Sequence, residues 1–273
     1  MRIQLLSDLH LEANPGFRPE PAPGADLLVL AGDIGSYQRR RDGSVMAEPD
    51  WGLRRFSPLP QHAGWPVPVV FVPGNHEYDA IDVEAAHQAL RETCERLGII
   101  WLERGELVLQ GVRLLGTTLW TDFDALAGQG DPPAPLPRQR EKAFRAANFY
   151  LHKMDARWHG QLFDAAAMRQ WGLACQFWLR QALQRPFGGP TVVVTHFAPT
   201  LHSADPRYGL VPGTAGFCNA LDDLLPLADV WLHGHLHCPV DVRIGRCRIF
   251  ANPLGYADKD EQQAFMPRCV IDV

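Results

Sequence analysis

The chain has no apolar run approaching the roughly 18 residues that a membrane-spanning helix needs, which excludes a helical membrane protein. It has no C-x-x-C pair: Cys94, Cys175, Cys218, Cys238, Cys247 and Cys269 are scattered. A chain of 273 residues needs no disulfide staples, so these read as reduced packing residues. It has no basic excess, and a net charge of -5 argues against coating long nucleic acids through a cationic face. A small anionic substrate stays compatible, because bound metal would invert the local field. Internal repeats and low-complexity tracts are also missing. What is left, 46% hydrophobic and 21% charged, is the composition of a globular enzyme with one large domain. An apolar stretch from Arg2 leads straight to the first chemistry-bearing residue, Asp8, with nothing spare for a cleavable signal. The expected location is cytoplasmic.

Residues 2–7, 26–31 and 67–72 read as parallel strands buried on both faces. The segment 35–66, with Arg39-Arg40-Arg41 and several prolines, reads as loop and short helix over one rim. Val83, Ala86, Leu90, Cys94 and Leu97 have helical spacing, closed by Gly98. A short strand over 99–102 and a hairpin about Gln110-Gly111 follow. Gly, Pro and Asp over 128–137 mark a loop, and helices are predicted over 138–154 and 164–184. Residues 120–190, which begin with Trp120 and Asp122 and include Asn148, read as a helical insertion or cap within a single 1–273 domain. Aromatic residues there read as core in preference to a base-stacking platform. Beyond it the pattern predicts strands over 191–195 and 229–232, a helix near 216–227, a hairpin about Gly245 and a closing strand over 268–273.

Five blocks stand at the ends of these strands: Asp8-Leu9-His10, Gly32-Asp33, Gly74-Asn75-His76-Glu77, His196 and Gly234-His235-Leu236-His237. Asp8 and His10, like His235 and His237, are two apart, so an extended chain points both members to one side. Sites in open α/β sheets form beyond the carboxyl ends of the strands, where dispersed blocks converge. A lone histidine after a strand is an ordinary core residue, but five donor blocks in series make a set sufficient for two metals. Carboxylate, amide and imidazole donors suit manganese, iron or zinc. Asp33 can bridge two ions, and a hydroxide shared by them, its pKa lowered to roughly 7, would be the nucleophile for in-line attack on a phosphate ester.

In this order the blocks resemble the signature of the calcineurin-like metallophosphoesterases, D-x-H, G-D, G-N-H-[DE], H and G-H-x-H, over Asp8 to His237. The resemblance implies an α/β fold, a four-layer αββα sandwich of two mixed sheets flanked by helices. It implies one metal held by Asp8, His10, Asp33 and His237, and a second by Asp33, Asn75, His196 and His235. His76 would be the unliganded histidine that steadies the transferring phosphoryl group and protonates the leaving oxygen. The protein phosphatases of this superfamily carry G-D-x-V-D-R-G, with an aspartate that orients that histidine and an arginine that grips phosphate. Here Ser36 stands at the aspartate position, which argues against a protein serine/threonine phosphatase and leaves His76 to find another partner. Ile34 and Gly35 likewise cannot supply the tyrosine ligand of purple acid phosphatases.

Around the ligands, Glu77 could orient His76 or a water or form a structural ion pair, and His233 alternates with His235 as an outer donor or a core histidine. Cys238, directly after His237, could be a soft neighbour of the ligands but reads first as packing. The loop after His196 holds His202, Asp205, Arg207 and Tyr208. Arg207 is its candidate phosphate-gripping cation and His202 a second candidate contact, against a surface ion pair. Arg39 to Arg41 could attract anionic substrate from the rim, against the ordinary reading of a charge run as a solvated face. The function this supports is a dinuclear-metal phosphohydrolase acting on a small nucleotide-like diester, similar to the cyclic-nucleotide phosphodiesterase branch. The alternatives are a phosphomonoesterase, a DNA-processing nuclease, and a non-catalytic scaffold, the last opposed by the complete set of ligand positions.

Overall fold

Strands β1 (Arg2–Leu6), β2 (Leu27–Ala31) and β3 (Val69–Val72) are apolar nearly throughout and buried beyond Arg2, as strands covered on both faces must be. In the computed structural model, which describes residues 1–39, 43–130 and 134–273, these strands pair in parallel. Helix α1 (Val83–Leu97) is N-capped by the Asp82 side chain, which accepts from Glu84 N and Ala85 N, and it ends on Gly98 at φ 67. It returns the chain to β4 (Ile100–Trp101) beside β3. The hairpin β5 (Gly105–Leu109) to β6 (Val112–Thr117) starts a second sheet.

Helix α2 (Leu136–Met154), a small hairpin of β7 (Arg157–Trp158) and β8 (Gln161–Leu162), and α3 (Ala165–Gln184) follow. Asp164 caps α3, and Asn148 of α2 accepts from Ala165 N, so the two helices are tied where α3 begins. Strands β9 (Thr191–Thr195), β10 (Val230–His233), β11 (Val240–Ile244) and β12 (Cys247–Ala251) complete the second sheet. Strand β13 (Val270–Asp272) returns to pair antiparallel with β1. The sheets run β13-β1-β2-β3-β4 and β11-β12-β10-β9-β6-β5.

Side-chain alternation builds the layers. Leu5, Val29 and Val70 from the first sheet meet Leu114, Val192 and Leu232 from the second in a core between the sheets. Their neighbours face outward: Leu30 and Phe71 with Leu90 and Cys94 of α1, and Val193 and Trp231 with Leu179 and Leu183 of α3. The result is a four-layer αββα sandwich. Trp120, Leu151, Phe163 and Met168 belong to the outward cluster, and Trp120 is a buried core ring.

One expected element is different. Residues 216–227 form no α-helix, only 3-10 turns at Pro212–Gly216 and Leu225–Leu227. The amides of Asn219 and Leu221 are committed to the carbonyls of Ala198 and Pro199, and Pro226 has no N–H to continue a helix. The rim over 35–66 contains a 3-10 segment, Asp50–Phe56. Arg39 donates to Gly43 O, while Arg40 and Arg41 lie outside the described residues, as does part of the 128–137 loop.

Candidate metal centre

The carboxyl ends of β1, β2, β3, β9 and β10 open on one edge of the sandwich, and each passes directly into one of the five blocks. The turns there are tight. Asp8 (φ 53), His10 (φ 43), Asp33 (φ 54), His235 (φ 71) and His237 (φ 48) all lie in the left-handed region. Five of the seven candidate ligands thus adopt a backbone that costs an L-residue roughly 1–2 kcal/mol. Hydrogen bonds between the blocks hold them there. Asp8 N donates to Gly32 O (3.0 Å), His10 N to Asp33 O (3.0 Å) and Gly234 N to His196 O (3.0 Å). His76 N donates to Asp33 Oδ1 (2.8 Å) and His235 N to Asp8 Oδ1 (2.8 Å). The packing leaves no room beside them. A Cβ on Gly74 would lie 2.2 Å from Asp33 Oδ1, and one on Gly32 (φ +85) would lie 2.4 Å from His196 Nδ1.

Two donor groups result. Asp8, His10, Asp33 and His237 offer ligand atoms within 4.8 Å of one another, as do Asp33, His196 and His235. Asp33 belongs to both, and Asn75 Oδ1 stands 3.1 Å from His196 Nε2. The histidine rings are aimed by partners on their far side. His10 Nδ1 meets Glu12 Oε1 (2.9 Å), His237 Nδ1 meets Glu261 Oε2 (2.6 Å) and His196 Nδ1 donates to Ala31 O (2.8 Å). With a proton held at Nδ1, the Nε2 atoms face the cluster, where each would ligate a cation once it carries no proton of its own. Tyr256 stacks on His10 at 4.3 Å.

Asp8 Oδ2, Asp33 Oδ2 and His235 Nε2 are buried with no hydrogen-bond partner among the described residues. An orphaned buried polar atom costs roughly 1–3 kcal/mol, and a charged one more, so one on the shared Asp33 and one in each donor group fit a pair of cations. Electrostatics agree. Burial alone would raise the Asp33 carboxyl, but His196, His76 and His10 hold it well below the usual carboxylate range. Burial would likewise lower His196, but Asp33 outweighs it and brings the ring up to about 9. His235 is held well below the ordinary value by burial and by His196, and is neutral.

His76 has the partner that the second block did not supply. Its Nδ1 lies 2.6 Å from Asp79 Oδ2, and Ser36 Oγ donates to the same oxygen at 2.6 Å. Asp79 is buried, three residues on along a 3-10 turn. Burial disfavours the His76 charge, yet Asp79 and Asp33 raise its pKa well above the usual imidazole value. The ring is 24% exposed, so its free edge is reachable.

Glu77 neither orients His76 nor forms an ion pair. It accepts from Asp33 N (3.0 Å), Ile34 N (2.6 Å) and Gly74 N (2.6 Å), clamping the second block to the third. Burial and the Asp33 charge push its carboxyl up to about 8, against the pull of these amides. His233 is a core histidine between Gly234 O and Ser203 Oγ, lowered to about 4 by burial. Arg207 turns onto its own Asp205 (2.6 Å), and His202 is exposed with Asp222 3.9 Å away. Neither touches a ligand. Cys238 makes a weak contact to Pro239 O and lies within electrostatic reach of Asp205 and Arg207. Asp122 accepts from Gln176.

Sequence reasoning missed Glu12, Asp79, Tyr256 and Glu261. Glu12 extends the Asp8, His10 alternation and was open to that reading, whereas nothing near Glu261 points to His237.

The family model of the calcineurin-like phosphoesterases matches residues 1–239. No curated protein matches the sequence. Among solved structures, the phosphopantetheinyl hydrolase from Mycobacterium tuberculosis is 19% identical, with 99% of this chain and 95% of that chain covered at a TM-score of 0.71. That likeness shows the fold. A chain assigned as a 5′-nucleotidase from Staphylococcus aureus, in complex with alpha-ketoglutarate, is 14% identical over 93% of this chain and 48% of its own. Its TM-score of 0.48 carries no weight.

Proposed function

The chain belongs to the calcineurin-like phosphoesterase family, and we propose that, within this group of metal-dependent phosphoester hydrolases, it cleaves small phosphodiesters. Asp8, His10, Asp33 and His237 would hold one cation, and Asp33, Asn75, His196 and His235 the other. Bound there, two divalent ions would activate water and screen the phosphoryl oxygens.

The observation that carries the diester reading is the kind of charge around the cluster. Among the described residues, no arginine or lysine side chain contacts a ligand or His76, and Arg207 is engaged by Asp205. A diester brings one negative charge, which two cations answer. A monoester dianion brings a second, for which the described residues of this site offer no guanidinium fork.

His76 completes the chemistry. Asp79 holds its Nδ1, so its Nε2–H is presented to the open side of the cluster. A proton there suits the alkoxide leaving group of a diester. Asn75 begins the same turn and turns its Oδ1 to His196. The net charge of -5 favours a small substrate over duplex DNA. The phosphopantetheinyl hydrolase of like fold places phosphopantetheinyl esters on the substrate panel beside nucleotide diesters.

The test is the rate on bis-p-nitrophenyl phosphate against p-nitrophenyl phosphate after stripping metals and restoring manganese. Diester cleavage is expected to be faster at equal concentration. A monoester preference would overturn the reading.

A further inference from the structure

Helix α2 ends at the mouth of the metal centre and is fastened on both sides of it. Met154 O accepts from Ala80 N (2.8 Å), next to Asp79, and Lys153 O accepts from the Gln38 side chain, two residues after Ser36. On the other side α2 lies against the turn Pro212–Gly216. A Cβ on Gly213 would sit 3.9 Å from Ala146 Cβ, and one on Gly216 would sit 3.5 Å from Ala147 Cβ. This close approach puts the last turns of α2 beside Phe217.

A row of rings runs outward from there. Phe217 stacks on the candidate ligand His235 at 5.1 Å and 29°. Tyr150 meets Phe217 edge-on at 6.2 Å, and Phe149 meets Tyr150 at 5.2 Å. The Lys153 ammonium stands 4.2 Å from the Phe149 ring centre and 5.8 Å from that of Tyr150. Phe149 is 62% and Tyr150 57% exposed, whereas α2 buries only Ala143, Leu151 and Met154. Lys153 pairs with no carboxylate among the described residues. The rings therefore contribute little to the core, and exposed rings joined to a site mark a binding surface.

We propose that Phe149, Tyr150, Phe217 and Lys153 form the subsite for the organic arm of the substrate, and that this arm is a planar ring carrying a further anionic group, as in a nucleoside phosphate. The inference rests on the phosphodiester reading above. Phe149 and Tyr150 stand at 87° to each other, so a base that stacks on one through its face, which every nucleobase offers, is met at its edge by the other. Lys153 meets the extra negative charge, and the sugar spans the gap from the ring to the phosphorus at the metals. Continuity through Phe217 to His235 and the cation at the outer end argue for the substrate arm over a second protein chain as the occupant.

The test compares p-nitrophenyl thymidine 5′-phosphate with methyl p-nitrophenyl phosphate, which share a leaving group and differ in the other arm, on the manganese-loaded enzyme. In the wild type the thymidine ester has the higher kcat/KM. The double variant Phe149→Ala, Tyr150→Ala should lower the ratio of the two kcat/KM values about 10-fold, within the roughly 5- to 100-fold that stacking on an aromatic platform supplies. Tyr150→Phe should keep the ratio. Lys153→Ala should weaken inhibition by ADP at least fivefold relative to inhibition by adenosine. A ratio that stays within twofold in the double variant overturns the proposal. So does a dimer in sedimentation velocity that the double variant dissolves, since the rings would then cover a second copy. If the wild type cleaves none of these esters, the diester reading fails by itself. The subsite then stands or falls on equilibrium dialysis of ADP, with binding lost in the double variant supporting it and no binding to the wild type overturning it.

Discussion

His76 and Asp79 show how one side chain's role depends on another that the chain brings from an unexpected place. Ser36, where an aspartate would orient the histidine in the protein phosphatases, still joins the pair, but as a donor to Asp79 Oδ2 at 2.6 Å. His76→Ala is expected to keep its metal and lose about 100- to 10,000-fold in kcat, the usual worth of a general acid. Asp79→Asn should keep metal and lose roughly 10- to 100-fold. Metal analysis beside steady-state kinetics checks both, and metal loss in His76→Ala would make that residue a ligand. A pH dependence follows from His196, brought up to about 9 in the metal-free protein. The ring must shed a proton to become a ligand, so affinity rises with pH below about 9 and levels off above it. Each unit is worth about tenfold per proton released. Manganese titrations of stripped protein at pH 6.5, 7.5 and 8.5 would show it, and a flat profile would contradict the ligand role. The seven ligand candidates were legible because spacing by two and position after a strand are properties of the sequence itself. Their left-handed backbone was not, since Asp8, His10 and Asp33 reach positive φ only through hydrogen bonds to one another's blocks.

The elements read from the sequence were those whose pattern is local. Helix α1 spans Val83–Leu97, where its apolar spacing and Gly98 place it, and β9 spans Thr191–Thr195. The segment 216–227 has Leu221, Leu224 and Leu225 at near-helical spacing, but its amides are spent on the loop after His196. Periodicity cannot show that a backbone amide is already engaged elsewhere. Helix α1 also carries His87, whose ring meets Trp101 at 5.1 Å and Trp171 at 6.0 Å, with Tyr78 Oη 3.2 Å from Nδ1. Burial, then Arg104 and Arg91, lower it to about 4. Its folded pKa lies below the unfolded value near 6.5, so its contribution is complete above pH 6.5 and is lost as pH falls toward 4. The melting temperature of His87→Phe should therefore fall less steeply over that window than that of the wild type. Parallel slopes would place the ring's proton elsewhere.

At the scale of the whole molecule, two apolar sheets converge on an edge that concentrates buried charge and strained backbone. The core between the sheets and the helices outside them hold that edge together. Among the described residues, no helix is long and apolar enough to cross a membrane. Loading both donor groups should stabilise the fold. At a hundred times the dissociation constant, one site adds about 2.7 kcal/mol, which for a chain of this size is roughly 5–10 °C in melting temperature. Calorimetry with and without manganese measures it, and an unchanged transition would mean that the orphaned atoms of Asp8, Asp33 and His235 serve something else.

The partners of the centre also come from opposite parts of the chain. Ser7 bridges to Pro253, β1 pairs with β13, and His237 is aimed by Glu261. During synthesis on the ribosome, Asp8 and His10 emerge before Glu261, which must clear the exit tunnel before it can reach His237. At roughly 5–20 residues per second that is a delay on the order of ten seconds or more. Between those two moments the nascent protein carries Asp8, His10 and Asp33 without the group that aims His237, and the centre takes the form described here only after Glu261 has emerged.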